Sequence, residues 1–164
     1  MRILGIDPGL HITGYGIIDS DNGEYQIVEA GVVRTNKKDE MELRLHEISK
    51  ELKNIIAQFK PEAVAVEDLY SHYAHPKTAI IMGHARGIIF LKSAEANIPV
   101  FPYASTRIKN SLTGNGRASK RQMQMMVAST FGTSDIFDPP DIADALAVAL
   151  CHGRALITDG VLKI

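Results

Sequence analysis

The sequence predicts an α/β fold built on a mixed five-stranded sheet flanked by helices. Three observations carry that reading. The chain opens with an apolar run, Arg2-Ile-Leu-Gly-Ile-Asp7, and two further strand-like stretches follow, parted by the hairpin signal Asp21-Asn22-Gly23. Asn-Gly accepts the positive φ values that a tight antiparallel turn requires. A continuous apolar run, Ala63-Val-Ala-Val66, then reads as a strand covered on both faces, the pattern of parallel pairing. Between and after these runs, apolar residues recur at steps of three and four, the period of amphipathic helices.

Taken in order, Arg2 to Asp7 is the first strand, and Pro8-Gly9 turns the chain after it. Thr13 to Ser20 is the second strand, with Gly14 and Gly16 sparing side chains on one face, and Glu24 to Thr35 is the third. The three form an antiparallel meander. Leu45, Ile48, Leu52, Ile55, Ile56 and Phe59 mark the buried stripe of a helix that ends at Pro61. The fourth strand follows and closes at Glu67. Leu69 to Pro76 is a loop carrying two tyrosines and two histidines. A second helix runs from about Lys77 to Ala96, and its Gly83 and Gly87 stand one turn apart. Glycines cost helix stability, so this pair is predicted to permit close packing against the sheet or a second subunit. Ile98 to Phe101 is the fifth strand, Ser105 to Leu112 a short helix, and Thr113-Gly-Asn-Gly116 a loop. Ser119 with Gln122 fits a capping box that opens a helix reaching about Phe131. Pro139-Pro140 starts the last helix, which carries Asp141, Asp144, Val148 and His152. No linker, repeat or low-complexity tract divides residues 1–164, which predicts a single domain.

The composition, 45% hydrophobic and 23% charged, separates the chain from disordered and membrane classes. No apolar stretch approaches the roughly 20 residues that span a bilayer. The N-terminus lacks the basic and apolar regions of a signal peptide, and Cys151 is the only cysteine, so a reducing cytoplasm is expected. The net charge of −1 conceals an uneven distribution. All 19 acids lie outside Ala96–Ser134, while Arg107, Lys109, Arg117, Lys120 and Arg121 lie inside it. Asp135, Asp138, Asp141 and Asp144 follow at once. A basic stretch beside clustered acids suits a protein that grips a phosphate backbone and places metal-binding carboxylates against it.

Asp7 and Glu67 both end apolar strands. As parallel neighbours those strands would end on one edge of the sheet, where sites of open α/β sheets form. Asp141 and Asp144 are three apart on one helix, on the face that continues through Ala145 and Val148. Asp141 is close enough to the helix start to be favoured by its dipole, but Asp144 is not. A carboxylate on an inward face is costly unless a cation or hydrogen bonds compensate it. Oxygen-only ligands suit Mg²⁺ or Mn²⁺, and two such ions together promote phosphodiester hydrolysis. Gly114 and Gly116 can bring backbone N–H groups near a phosphate, and the helix start at Ser119 also favours anions. His72 and His75, on a loop without cysteines, make a poor zinc site.

The ordered set Gly5-Ile-Asp7-Pro-Gly9, Thr13-Gly-Tyr-Gly16, Glu67, Gly83-His-Ala-Arg86-Gly87, Thr113-Gly-Asn-Gly-Arg-Ala-Ser-Lys120 and Asp141-Ile-Ala-Asp144-Ala-Leu-Ala closely resembles the bacterial RuvC Holliday junction resolvases over essentially the whole chain. The resemblance implies a ribonuclease H-like fold. It also implies a homodimeric endonuclease that nicks two opposing strands of a four-way DNA junction symmetrically, in recombination and repair. The ends would be 5′-phosphate and 3′-hydroxyl. The family's catalytic and metal-holding acids carry over onto Asp7, Glu67, Asp141 and Asp144, with one or two Mg²⁺ ions per site and Mn²⁺ as a substitute. Its aromatic residue near the junction crossover matches Tyr70, and two DNA-contacting lysines match Lys109 and Lys120. Lys120 is placed to offset charge on the scissile phosphate. The segment after the glutamate faces DNA in this family, which makes His72, His75 and Lys77 candidates for sequence readout. Gly114, Gly116, Arg117, Ser119 and Arg121 complete the expected DNA-binding set. The branch-migration proteins RuvA and RuvB are implied as partners. Three alternatives remain open at this point: one lobe of an actin-like ATPase, a related nuclease acting on structured RNA, and a junction-binding protein without activity.

Overall fold

The computed structural model describes residues 1–69 and 76–158. Five strands, β1 (Arg2–Asp7), β2 (Ile12–Asp21), β3 (Glu24–Arg34), β4 (Ala63–Glu67) and β5 (Val100–Tyr103), form one sheet in the order β3-β2-β1-β4-β5. The first three strands pair antiparallel, and β4 is parallel to both β1 and β5. The expected meander and mixed sheet are therefore present, and the arrangement is ribonuclease H-like. The hairpin turn uses Asn22 and Gly23 at φ 49° and 92°, the conformation that its sequence favours.

Helices α1 (Met41–Phe59) and α2 (Pro76–Glu95) cover one face of the sheet. Helices α3 (Ser105–Thr113), α4 (Lys120–Thr130) and α5 (Pro140–Thr158) cover the other. Strand alternation sorts the side chains between the two layers. Leu4, Ile6, Val64 and Val66 point to α1 and α2, while Ile3, Ile18 and Ala65 point to α5. Asp7 and Glu67 share parity with Ile3 and Ala65, so both acids emerge on the α5 face.

Helix α5 approaches that face closely. Gly5 and Gly16 are cross-strand partners, and Asp7 pairs with Gly14. A Cβ on Gly5 would stand 2.2 Å from the Ala145 carbonyl oxygen and 2.7 Å from the Ala149 nitrogen. On Gly14 it would stand 2.1 Å from the Asp141 carbonyl oxygen, and on Gly16 2.6 Å from Leu146. These three glycines form a shallow seat for α5, which is buried from Ala145 to Gly153 and apolar there except for His152. The local signals agree: Pro140 supplies a preset φ at the helix start. The capping box of α4 is formed, with the Gln122 N–H donating to Ser119 Oγ at 3.2 Å and the Ser119 N–H to Gln122 Oε1 at 2.8 Å.

Gly83 and Gly87 do not serve the sheet. A Cβ at either position would meet nothing within 4 Å, and the inward side of α2 is formed by Ala85 and Ile89. A glycine pair at helical spacing reads the same whichever way it faces, so only the second half of that expectation, contact with another subunit, stays open. The fifth strand also lies two residues later than expected, at Val100–Tyr103, because its ladder with β4 pairs Glu67 with Tyr103.

If the glycine seat sets the height of α5, Gly5→Ala forces that helix off the sheet. Overpacking of this kind costs about 1–3 kcal/mol or more, so thermal unfolding should show a clear drop in Tm. An unchanged Tm would mean that α5 rides higher than described.

Candidate active site

The acids meet where α5 begins. Asp7 is the last residue of β1, and Gly14, its register partner, lies directly beneath the backbone of Asp141. Glu67 ends β4 one step beyond the Ile6–Val66 pair, next to Asp7 on the same sheet edge. Asp144 is one turn along α5 from Asp141. It lines a cleft of about 200 Å³ with Glu67, Ser105, Lys109 and Lys120. Lys120, the first residue of α4, forms an ion pair with Asp144 at 3.0 Å; the two side chains are 60% and 26% exposed. Asp144 is therefore partly buried and compensated by a cation, as its inward-facing position on the helix required.

The electrostatics are those of crowded acids. Burial raises the Asp7 carboxyl to about 7, and the charges of Glu67, Asp144 and Asp141 add to the rise while Lys120 opposes it. Burial also raises Glu67; a side-chain hydrogen bond from Ser105 works against that, as do the charges of Lys109 and Lys120. The hydrogen bond to Asp144 raises Lys120, with Asp141 and Asp7 contributing charge. Four oxygen-donor carboxylates with net negative charge fit a hard divalent cation, and the Lys120 ammonium already serves as counter-charge there. Among the described residues no three His, Cys, Asp or Glu side chains converge tightly enough to make a finished chelate. The acids are neighbours at this sheet edge without enclosing a cation position.

The acid-free segment supplies the opposite wall. Lys109 on α3 faces the cleft. Gly114 closes α3 at φ 71°, a left-handed conformation that favours glycine. The Gly114–Gly116 loop is wound on itself. The N–H groups of Gly114, Asn115, Arg117 and Ala118 donate to Asn110, Thr113 and Asn115 within the loop region. It therefore offers fewer backbone donors to a phosphate than the glycine spacing suggested, and the start of α4 at Ser119, with Lys120 and the exposed Arg121, is the better anion site. Arg117 is exposed beside it. Lys77 is exposed in the first turn of α2, away from the acids in sequence and element. Tyr70, His72 and His75 lie outside the described residues.

Two contributors escaped the sequence analysis. Arg86 donates from Nη1 to the Glu67 carbonyl oxygen and pairs through Nη2 with Asp68 at 2.9 Å, which ties the end of β4 to α2. Its place between Gly83 and Gly87 was the available signal. Ser105, the first residue of α3 after the N-cap Ala104, lines the cleft.

A carboxyl raised to about 7 in the fold, against 3.8 when unperturbed, is favoured when neutral. Its contribution to stability is present below pH 4 and is lost as pH rises through 7. In EDTA at pH 8, Asp7→Asn should therefore be more stable than the parent chain, by at most about 4 kcal/mol at ~1.4 kcal/mol per pH unit of displacement. The gap should close below pH 4. Equal chemical-denaturation midpoints at pH 8 would place Asp7 in solvent.

Comparison with known proteins agrees with this geometry. A model of the family described as "Crossover junction endodeoxyribonuclease RuvC" matches residues 3–152. A protein of that description from Caldicellulosiruptor saccharolyticus is 46% identical, over 93% of this chain and 92% of its own length. The Thermus thermophilus RuvC structure superposes with a TM-score of 0.89 at 30% identity, covering 97% of both chains. The same protein in complex with a Holliday junction substrate gives 0.88 at 28% identity, over 96% of each. Sheet order, strand-end acids and these matches over nearly the whole length together make this chain a member of the RuvC family of crossover junction endodeoxyribonucleases.

Proposed function

We propose that this chain is a Holliday junction resolvase, a metal-dependent endonuclease that nicks two opposing strands of a four-way DNA junction in recombination and repair. The observation that carries the reading is the meeting of Asp7, Glu67, Asp141 and Asp144 at one sheet edge, faced by lysines from a segment without acids. Asp7, Glu67, Asp141 and Asp144 would hold one or two divalent ions, Mg²⁺ with Mn²⁺ as a substitute. When bound, such ions supply Lewis-acid stabilisation of the phosphate and lower the pKa of an attacking water.

The chain's own residues have separate tasks. Asp7 and Glu67 sit on strand ends, which fixes them more rigidly than loops would. Lys120, which pairs with Asp144, would offset charge on the scissile phosphate, and Lys109 would support it from the same cleft. Arg117, Arg121, Gly114, Gly116 and Ser119 lie along the path for the phosphate backbone. Tyr70 stacks on a base near the crossover, while His72, His75 and Lys77 take part in reading sequence. Positioning and charge compensation then supply most of the acceleration.

Two symmetrical cuts need two sites, which a two-fold homodimer provides. The outward side of α2 supports this. Ile80 and Leu91 are 62% and 50% exposed there, and Gly83 and Gly87 leave open space between them. The whole of 1–164 acts as one nuclease domain, in the cytoplasm, with RuvA and RuvB as branch-migration partners. Among the described residues no helix is long and apolar enough to cross a membrane.

The test is cleavage of a synthetic four-way junction, a linear duplex and a single strand, with Mg²⁺ and with EDTA. Paired symmetrical nicks confined to the junction with Mg²⁺ are expected. Asp7→Asn should abolish cutting and keep junction binding, and Lys120→Ala should slow cutting by about 10²–10³-fold. Leu91→Asp should yield unpaired nicks and a monomer in sedimentation. Equal cutting of all three substrates would overturn junction selectivity, and loss of junction binding in Asp7→Asn would make that residue structural.

A further inference from the structure

The peptide unit that follows Glu67 is held at both of its polar ends. β4 finishes here: its ladder with β1 stops at Ile6–Val66, and its ladder with β5 at Glu67–Tyr103. The Asp68 N–H donates to the Tyr103 carbonyl at 2.8 Å. In a planar trans peptide the Glu67 carbonyl points the opposite way, toward the side on which β1 has stopped pairing. A strand carbonyl without a ladder partner takes another donor or water. Here the donor is Arg86 of α2, whose Nη1 reaches the carbonyl oxygen at 2.5 Å.

Arg86 is itself firmly placed. Its helix neighbours Ala85 and Ile89 are buried in the same core layer as Val64 and Val66 of β4. Its guanidinium lies over the Phe90 ring, one turn further along, at 5.0 Å from the centroid, and its side chain is 14% exposed. The second nitrogen, Nη2, pairs with Asp68 Oδ1 at 2.9 Å, and the Leu69 N–H donates to that same oxygen at 3.0 Å. One planar fork thus holds two consecutive groups of the chain, the carbonyl of Glu67 and the carboxylate of Asp68. A lysine, with a single nitrogen, does not reproduce that geometry. The ladder fixes the chain before Glu67 and these bonds fix the peptide after it, so the direction of its Cα–Cβ bond is set.

We propose that Arg86 is a positioning residue for the divalent-cation site. It stands in for the missing β1 partner of the Glu67 carbonyl and so holds the backbone from which the Glu67 carboxylate projects beside Asp7. The proposal rests on the reading of Glu67 as a metal ligand. Ligands work only within about 0.5 Å of their productive geometry, and losing a group that orients one typically weakens metal binding about 10–100-fold. Arg2 offers a matched comparison. It ties a strand end with the same kind of fork, Nε and Nη2 to Asp19 and Nη1 to the Phe59 carbonyl. It stands at the opposite end of β1 from Asp7, roughly 17 Å away at the rise of a strand.

The experiment is Mn²⁺ titration of the full chain without DNA, followed calorimetrically, for the parent, Arg86→Ala, Arg86→Lys, Arg2→Ala and Glu67→Gln. Arg86→Ala should weaken Mn²⁺ binding about tenfold or more and raise the Mg²⁺ concentration for half-maximal junction cutting by the same factor. Arg86→Lys keeps the charge and loses the fork, so it should fall between the parent and Arg86→Ala; its loss carries the test even where Arg86→Ala is too unstable to titrate. Arg2→Ala should lower Tm and leave Mn²⁺ binding at the parent value, which separates positioning from general stability. Parent-like Mn²⁺ binding in both Arg86 variants, with Glu67→Gln impaired, would overturn the role of Arg86 and leave the ligand reading intact. An equal loss of Mn²⁺ binding in Arg2→Ala would also overturn it, since any weakened strand end would then suffice. Parent-like binding in Glu67→Gln would overturn the ligand reading itself.

Discussion

The site depends on how close α5 lies to the sheet. Three glycines, Gly5, Gly14 and Gly16, leave the α5 face of β1 and β2 without side chains where the helix crosses. Backbone then rests almost on backbone, and Asp141 comes down beside the strand-end Asp7. A methyl group at any of the three would fall within 3 Å of helix atoms. Catalytic groups that must cooperate across secondary elements tolerate little displacement. The apolar length of α5, buried from Ala145 to Gly153, supplies the burial that holds the helix in this seat.

That seat concentrates negative charge at a cost. Asp7 is pushed to about 7 by burial and by its neighbours, so the fold carries a cluster of acids that costs stability when ionised. Lys120 relieves part of the cost through Asp144. Its exposure lets it exchange partners, because an ion pair at a wet surface is worth little and is easily broken. Within the chain, the acid-free segment balances the acids through Lys120.

Much of this was legible in the amino-acid order. An apolar run ending in an acid reads as a strand with a carboxylate at its tip, which located Asp7 and Glu67, and the Ser119–Gln122 cap placed the start of α4. Spacing also put Asp141 and Asp144 on one helix face. Orientation was less legible. Gly83 and Gly87 carry the same helical spacing whether they face the core or solvent, and the structure turns them outward. The Gly114–Gly116 loop looked like a phosphate cradle, but side chains of Thr113 and Asn115 engage its N–H groups. Arg86 and the Tyr103–His152 pair join residues far apart in sequence, which local patterns do not reveal.

The most direct measurement is anomalous scattering from crystals of this protein grown with Mn²⁺. A peak bounded by Asp7 and at least two of Glu67, Asp141 and Asp144 is expected, with Lys120 displaced from Asp144. No peak at that sheet edge in crystals of protein that cuts junctions, or a peak bound only by other residues, would contradict it.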